Sequence, residues 1–554
     1  MGAEGVRRRC DAVCTASTIS QAKGQGFKST ETKHHVYGFL WKVDSFYRLF
    51  SYYLFIFIYL LLIFLRRSKE AVGLRGVIHR GEEKIMTFTD VLGKIDNFVW
   101  GVPLIVLIMG TGIFLTCRLG VLQFRRLGKA LKYMVKNEAD GIGEVSSFGA
   151  LCTALSATIG TGNIVGVATA IVAGGPGALF WMEIAALFGM ATKYSEGLLA
   201  IKYRTTDKHG HILGGPFYYI ENGMGKKWTW LAKIFAFFGM GVGLFGIGTF
   251  TQVNGITSAV GNFFDPNAQN VIHLLGRDYT LAVVISGLIL TVCVGLVVIG
   301  GLKRIAKVSA IIVPFMAVIY IAISLLLLIL NANKIPAAIV EIVSSAFGMR
   351  AAAGGALGAI IVAMQKGIAR GIFSNEAGLG SAPIAAAAAQ TKEPARQGLV
   401  TMTGTFIDTI VVCTMTGLSI VLTGSWNIGL EGVAVTTNAF QQGLPFAPQI
   451  SAFLLMMCLV FFAFTTILGW DYYSERCLAY LSGSNKTALK IFRWLYIAAV
   501  FIGPYFTVSA VWVIADIFNA LMAIPNLIAL LSLSGVVVAE TQSYLKRMNL
   551  TRVK

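Results

Sequence analysis

A stretch of small and hydroxyl-bearing residues lies at the centre of a long apolar run: Ser156-Ala157-Thr158-Ile159-Gly160-Thr161-Gly162-Asn163. Glycine makes local unwinding cheap, and an unwound turn frees carbonyls that can coordinate a small cation. The next half-helix then presents N–H groups and a positive dipole end to an anion such as an amino-acid carboxylate. The alternative is a small-residue face for close helix packing. Asn163 favours the binding interpretation, since a buried amide needs partners that a lipid-facing stripe does not supply.

Two adjacent hydroxyls, Thr465 and Thr466, lie in a second apolar run, one turn before Trp470. Hydroxyls in membrane helices usually bond to carbonyls of their own helix, so a structural role is one interpretation. Two neutral oxygens are also suitable ligands for a weakly held, exchangeable sodium ion. Gln252, with glycines on either side, is either an interhelical hydrogen-bond donor or a substrate ligand.

Several acidic residues fall in or near apolar runs, where an ionisable group is a functional candidate by default. Asp408 and Asp516 lie within such runs and act either in function or in an interior network. Glu196 and Glu376 lie near predicted helix ends beside basic residues such as Lys193. Their position favours gate or loop salt bridges over proton relays.

The composition of the chain indicates an integral membrane protein. Of 554 residues, 56% are hydrophobic and 13% charged, and the mean hydropathy is +0.71. The apolar residues come in blocks of about twenty, the length that a helix needs to cross the hydrocarbon, which predicts an all-α polytopic protein. The net charge of +19 has to be assigned loop by loop, because Lys and Arg mark the cytoplasmic side, and a nucleic-acid partner is not expected.

Enzyme signatures are missing from the sequence. There is no HExxH, GxSxG or GxxxxGK[ST] pattern, so neither a zinc peptidase nor an ATP motor is encoded. The eight cysteines are scattered and show neither a disulfide framework nor a zinc spacing. We therefore expect no catalytic residues and no enzyme activity.

The apolar runs predict eleven membrane helices, near residues 98–119, 147–173, 176–200, 229–262, 279–301, 305–330, 353–372, 398–423, 447–482, 488–511 and 515–540. Lys and Arg alternate between the connections, with six in 118–147 and none in 173–177. By the positive-inside rule the helix at 147–173 starts in the cytoplasm and the C-terminus ends there.

The helices after the first form two sets of five, 147–330 and 353–540. An odd number of spans in each set inverts the second relative to the first, as in an inverted-repeat transporter. Each set opens with a glycine-interrupted helix, at Gly160 and Gly162 in the first and at Gly354-Gly355 with Gly358 in the second. Paired interruptions at matching positions point to a binding site at the membrane midplane.

Several sequence blocks resemble one known family over about residues 86–545, in order: GTGNIVG at 160–166, GMATKYSE at 189–196, GGPFYYIENGMG at 214–225, FSNEAGLGSAPIAAAAA at 373–389, FIDTIVVCT at 406–414 and MAIPNLIAL at 522–530. They are similar to the alanine or glycine:cation symporter family. The resemblance implies a LeuT-like 5+5 inverted repeat with one additional N-terminal helix. It also implies sodium-coupled uptake of small neutral amino acids.

The resemblance further implies site residues. The backbone at Thr161 and Gly162 would bind the substrate carboxylate, with Asn163 alongside. Gln252, Ile256 and Trp470 would line the pocket, opposite the break at Gly354-Gly355.

A sodium site is implied by the geometry of the LeuT-like superfold. The ion would bind the carbonyls of Ser156 and Ile159 in the first broken helix. From the later helix it would bind the Phe462 carbonyl and the hydroxyls of Thr465 and Thr466.

This sequence departs from the family pattern at three positions. Phe217 replaces a common methionine and Ala386 a common histidine. Glu183 stands where an aromatic residue is usual, and a carboxyl in the middle of a span needs a cavity or a partner.

We expect a symporter that imports alanine or glycine with sodium by alternating access, in a bacterial cell membrane. The alternatives are a sensor that uses the same site with little flux, and a symporter of a larger neutral amino acid such as glutamine. A channel is disfavoured because no filter motif is visible. The expected partners are a small neutral amino acid, the sodium ion and the lipid bilayer.

The expected organisation has five parts: an N-terminal extension (1–85), a first helix with a basic loop (86–146), two five-helix repeats (147–331 and 332–545) and a cytoplasmic tail (546–554). The extension matches nothing in the family pattern. Its short apolar run at 49–65 would, as a span, place six Lys and Arg residues outside, against the charge rule. We expect residues 1–85 to be dispensable and the working protein to begin near Met86.

Overall fold

A computed structural model of the chain describes residues 93, 99–136, 141–206, 212–274, 277–348, 355–505 and 508–552. The predicted short span at 49–65, the extension 1–85 and Gly354 lie outside the described residues. The described residues all belong to one compact unit, Met86–Lys554.

Helices make up almost all of the first half of this unit. They are α1 Val102–Arg118, α2 Leu122–Arg125, α3 Leu127–Val135, α4 Ser147–Thr158, α5 Val167–Gly174, α6 Gly177–Lys202, α7 Pro216–Gly223, α8 Thr229–Phe245, α9 Phe250–Phe264, α10 Leu281–Val298 and α11 Gly301–Leu330. A π-helix, Gly162–Gly166, joins α4 to α5. Two small antiparallel hairpins, β1 Thr205–Thr206 with β2 Ile212–Leu213 and β3 Val271–Leu274 with β4 Arg277–Thr280, connect helices.

The second half is also helical. Its helices are α12 Ile335–Ala346, α13 Ala356–Asn375, α14 Ala382–Ala386, α15 Pro394–Thr405, α16 Thr414–Leu422, α17 Val433–Gly443, α18 Pro448–Ser482, α19 Lys486–Ile502, α20 Val508–Ser532 and α21 Ser534–Arg552. A second π-helix, Phe406–Cys413, joins α15 to α16. Extra residues in a helical turn of this kind often mark functional sites.

By length and apolar composition, eight helices of the described residues can cross a membrane. A bent pair, Ser147–Thr158 with Gly162–Gly174, adds a ninth and turns by 52° at its break. The exposed side chains on these helices are large and apolar, such as Leu296 and Val318, as lipid contact requires. The chain is therefore an all-α polytopic membrane protein, as the composition predicts.

The predicted helical segments are confirmed as helical, but some of their limits are wrong. The segment 229–262 is two helices, separated at residues 246–249. A Cβ at Gly248 would lie 2.5 Å from the Cβ of Trp470, so the chain here is pressed against α18. The segment 515–540 is likewise divided, at Leu533 between α20 and α21.

The second glycine interruption is not where the sequence pattern predicts it. Gly355 is the exposed residue before α13, and Gly358 lies in regular helix. Within the described residues of this half, the segment 376–381 between α13 and α14 is unwound. Left-handed backbone is found there at Glu376 (φ 57°), Gly378 (φ 90°) and Gly380 (φ 81°), a conformation that ends the helix.

The core is built around the first broken helix. Buried apolar residues of α4, α5, α11 and α18 form one continuous cluster that includes Leu155, Ile164, Tyr320 and Phe462. At the crossing of α4 and α18, Gly469 faces Ala157 with no room for a side chain. Small residues let the two backbones come this close.

This crossing predicts that Gly469→Ala destabilises the protein. The new Cβ would lie 2.7 Å from the Ala157 nitrogen and 2.8 Å from its Cα and Cβ, so one helix has to shift. We expect a loss of about 1–3 kcal/mol, measured as a lower thermal unfolding temperature in detergent. Gly358→Ala is the matched control, because nothing lies within 4 Å of that Cβ position. Equal unfolding temperatures for both variants would contradict the close crossing.

Candidate functional site

The first break has its own internal hydrogen bonds. The amide oxygen of Asn163 accepts from the Gly160 N–H at 2.9 Å and so closes the turn between α4 and the π-helix. The Asn163 amide nitrogen donates to Asp408 Oδ1 at 2.8 Å and to the Asp408 carbonyl at 3.1 Å. The buried partners predicted for Asn163 are therefore present, and they stabilise the conformation of the break.

The position predicted for the substrate carboxylate is occupied by Gln252. Its Oε1 accepts from the Thr161 N–H at 3.0 Å, and its Nε2 donates to the Ile247 carbonyl at 3.0 Å. The amide oxygen thus imitates one carboxylate oxygen at the start of the half-helix. A Cβ at Gly255, on the next turn of α9, would lie 2.5 Å from the Thr161 methyl. Ile256 is buried beside it.

Four of the five residues predicted to hold sodium are brought together. The Thr466 hydroxyl lies 3.1 Å from the Ile159 carbonyl and 3.0 Å from the Phe462 carbonyl. The Thr465 hydroxyl lies 3.0 Å from the same Phe462 carbonyl. A Cβ at Gly160 would lie 2.5 Å from Thr466 Oγ1, so only glycine lets α18 approach the break.

Ser156 is buried one turn before the break, and its hydroxyl donates to the Thr153 carbonyl at 2.8 Å. That bond directs its side chain along its own helix. Only its backbone carbonyl, the atom named in the prediction, is then available to the cluster of oxygens around Thr466.

Trp470 lies on α18 one turn after Thr466 and is fully buried. Its indole N–H donates to Glu376 Oε1 at 2.9 Å, while the Ser381 hydroxyl donates to Glu376 Oε2. Trp470 therefore connects α18 to the second unwound segment. Gly355 is exposed and is not brought to this centre.

Asp408 ties the two unwound segments together. Besides Asn163, the Ser374 hydroxyl donates to its Oδ2 at 2.9 Å, and Ser374 lies at the end of α13. The Thr409 hydroxyl adds a bond at 2.8 Å and in turn accepts from the Asn375 amide. The sequence marked Asp408 as a candidate, and the structure makes it a fully buried network residue.

A buried lysine and two glutamates border the second segment. Glu196 Oε1 accepts from the Asn526 amide at 2.7 Å and from the Gly378 N–H at 3.2 Å. Lys193 is buried on the same helix, α6, and attracts Glu196, Glu376 and Asp408 electrostatically. The sequence placed these residues near loops. The turn-forming pattern Asn-Glu-Ala-Gly-Leu-Gly-Ser-Ala-Pro was the signal that could have located the segment.

Two further acids find separate partners. Glu183 accepts a hydrogen bond from Thr414 at the start of α16, and the like charge of Asp408 in the second π-helix disfavours its ionised form. Asp516 forms a two-bond ion pair with Arg370, at 3.2 and 2.6 Å, between α13 and α20.

The helices and the broken span define a multi-pass membrane protein with carbonyl and hydroxyl oxygens gathered at its first break. The pattern of the sodium:alanine symporter family matches residues 85–553, and the chain belongs to that family. Its relatives are transporters, so the chain is not an enzyme, as the missing motifs predict.

Two curated relatives and one solved structure describe the resemblance. An uncharacterized transporter of Haemophilus influenzae is 55% identical over 467 residues, 84% of this chain and 98% of that one. The sodium/alanine symporter AgcS of Methanococcus maripaludis is 46% identical over 472 residues, 83% of this chain and 98% of its own. The crystal structure of MhsT in complex with L-phenylalanine aligns with a TM-score of 0.46 at 16% identity, covering 72% of this chain and 89% of that chain.

The position of Asp408 predicts a large cost for Asp408→Ala. The change leaves the donors of Asn163, Ser374 and Thr409 without their buried acceptor, at roughly 1–3 kcal/mol for each unsatisfied group. We expect unfolding in detergent to occur at a clearly lower temperature. Asp278→Ala, on an exposed hairpin, is the control and should unfold as the wild type does. An unchanged stability for Asp408→Ala would show that the network does not hold the segments.

Proposed function

We propose that this protein imports small neutral amino acids, alanine or glycine, together with sodium. The observation that carries the proposal is the first break, where the Thr161 N–H donates to the Gln252 amide oxygen. Beside it, the Thr466 hydroxyl of α18 lies within hydrogen-bond distance of the Ile159 and Phe462 carbonyls. Its membership of the sodium:alanine symporter family and the name of the AgcS relative support the same substrate and ion.

Sodium would bind where the Thr466 hydroxyl now bridges two carbonyls. The hydroxyl donates in this arrangement, so ion binding requires its hydrogen to turn away and the oxygen to accept the cation. The carbonyls of Ser156, Ile159 and Phe462 and the Thr465 hydroxyl would complete a neutral set of hard ligands. Because these ligands come from α4 and α18, the ion would tie the broken helix to the long one.

The substrate would replace Gln252. A zwitterion places its carboxylate at the Thr161 and Gly162 N–H groups, where the half-helix dipole favours negative charge. Gln252 then swings aside and can bond to the substrate. The close approach of Gly255 to Thr161, with Ile256 and the buried Trp470, would limit the side chain to a small one.

Asn163 would act indirectly. Its amide is already engaged by Gly160 and Asp408, so it would position the break and leave the substrate to the backbone. We further propose that transport proceeds by alternating access across the cell membrane, with the C-terminus in the cytoplasm.

The function predicts sodium-dependent, electrogenic uptake of alanine or glycine into proteoliposomes. One sodium ion moving through 100 mV supplies about 2.3 kcal/mol, against about 1.4 kcal/mol for each tenfold of accumulation. Radiolabelled alanine, glycine and glutamine would be compared at fixed pH and voltage with sodium or potassium outside. Equal uptake in potassium would contradict symport. Tight binding without flux would favour a sensor, and preferential uptake of glutamine would favour a larger substrate.

The oxygen cluster predicts that Thr466→Ala raises the sodium concentration for half-maximal uptake more than it lowers the maximal rate. Removing one neutral oxygen weakens the ion site and leaves the path open. Thr465→Ala should have an effect of the same sign. Thr169→Ala is the matched control, because its exposed hydroxyl bonds only to a carbonyl of its own helix. A sodium titration unchanged in both variants would leave helix packing as the role of these hydroxyls.

A further inference from the structure

The buried charges around the second unwound segment do not balance. Lys193 brings one positive charge to three carboxyl groups, those of Glu196, Glu376 and Asp408. All four side chains are buried. Buried carboxylates persist only with a cation, a proton or a full set of hydrogen-bond donors.

Hydrogen bonding separates the three acids. Asp408 receives bonds from three side chains, and both oxygens of Glu376 receive one, from Trp470 and Ser381. These two are provided for as carboxylates. Glu196 differs. Its Oε1 accepts bonds from Gly378 and Asn526, and the Gly380 N–H also acts on this carboxyl, but its Oε2 is buried without a geometric hydrogen bond among the described residues.

A second buried polar group without a partner faces the same place. The Tyr473 hydroxyl, on α18, makes no hydrogen bond within the described part of the chain and lies in the field of both Glu196 and Glu376. A hydroxyl can accept from a protonated carboxyl or donate to a charged one. It is therefore suited to a neighbour that changes its protonation state.

We propose that Glu196, with Glu376 and the Tyr473 hydroxyl, forms a proton-binding site that controls the unwound segment 376–381. When Glu196 is protonated, only the carboxylates of Glu376 and Asp408 oppose the positive charge of Lys193. The Glu196 carboxyl then keeps the segment closed by accepting from the Gly378 N–H. When the proton leaves, a further uncompensated buried charge is added next to the segment, at the Gly378 N–H. The cost of that charge exceeds the gain of a stronger bond to Gly378, so the segment opens and Glu196 becomes hydrated.

The groups that face Glu196 are few in the described region. Lys193 is on its own helix and Tyr473 on α18. The segment contributes the Gly378 and Gly380 N–H groups, and its Glu376 acts on the same Tyr473. From α7, the Tyr219 hydroxyl lies in the field of Glu196 and donates to the Asn526 oxygen. From α20, Asn526 itself donates to Glu196, and the nearest acid of that helix along the chain, Asp516, is paired with Arg370.

The test is hydrogen–deuterium exchange of residues 376–381 as a function of pH, in nanodiscs with potassium as the only cation and without amino acid. Exchange is corrected for its intrinsic pH dependence. For one proton, the opening equilibrium should rise about tenfold per pH unit above the titration midpoint. Glu196→Gln carries no titratable proton and should remove this pH dependence. Glu431→Gln, on an exposed loop, is the control and should keep the wild-type profile.

Other outcomes overturn the proposal. Wild-type exchange that does not depend on pH, or a Glu196→Gln profile that matches the wild type, would exclude Glu196 as the proton carrier. Sodium could instead close the segment at a pH at which the segment is open in potassium. If Glu196→Gln abolished that effect of sodium, the site would bind a metal ion and not a proton. If Glu196→Gln does not fold, the infrared carbonyl band of the protonated carboxyl tests the proposal. The band has to be present in the wild type at low pH. It has to be absent from a folded Glu196→Asn or Glu196→Ala protein.

This proposal rests on the transport function only for its role in the cell. The exchange experiment needs no flux, so its failure would leave sodium-dependent uptake untouched. Absence of uptake would likewise leave the proton site standing.

Discussion

One buried carboxylate holds the two irregular parts of this membrane protein in place. Asp408 accepts from Asn163, which closes the first break, and from Ser374, at the threshold of the second. Unwound backbone is expensive inside a membrane because its polar groups have no water to bond. A single acceptor shared by both segments fixes them relative to each other, so each break is stable only while the other is in place.

Sodium and substrate would be coupled over a very short distance. The Ile159 carbonyl and the Thr161 N–H are two residues apart, and they face Thr466 and Gln252 respectively. An ion that fixes the carbonyl side of this turn also fixes the direction of its N–H groups. Coupling then needs no long pathway, because both ligands act on the same unwound turn.

The sequence predicted the class of fold and the first break, and the physical reasons are visible. Asn163 in an apolar run required buried partners, and Asp408 supplies them. The second break was misplaced because glycine alone does not identify unwinding. Gly355 starts a helix, whereas the left-handed Glu376 accepts bonds from Trp470 and Ser381. Trp470 is far away in the sequence, and nothing in the sequence pattern indicates the bond from Ser381. The bond from the Thr161 N–H to the neutral Gln252 amide, in the position predicted for a carboxylate, also depends on a tertiary contact that the sequence does not show.

The length of α18 gives the residues proposed to bind the ion and to line the substrate pocket a common support. This helix runs unbroken for 35 residues, about 52 Å, and carries Phe462, Thr466 and Trp470 on two successive turns. It is longer than the hydrocarbon is thick, by about 20 Å, so its ends reach both aqueous sides. A tilt of this helix would move Phe462 and Thr466, the proposed sodium ligands, together with the Trp470 indole that contacts Glu376. A change of tilt that exposed one of these positions to either side of the membrane would therefore also shift the other.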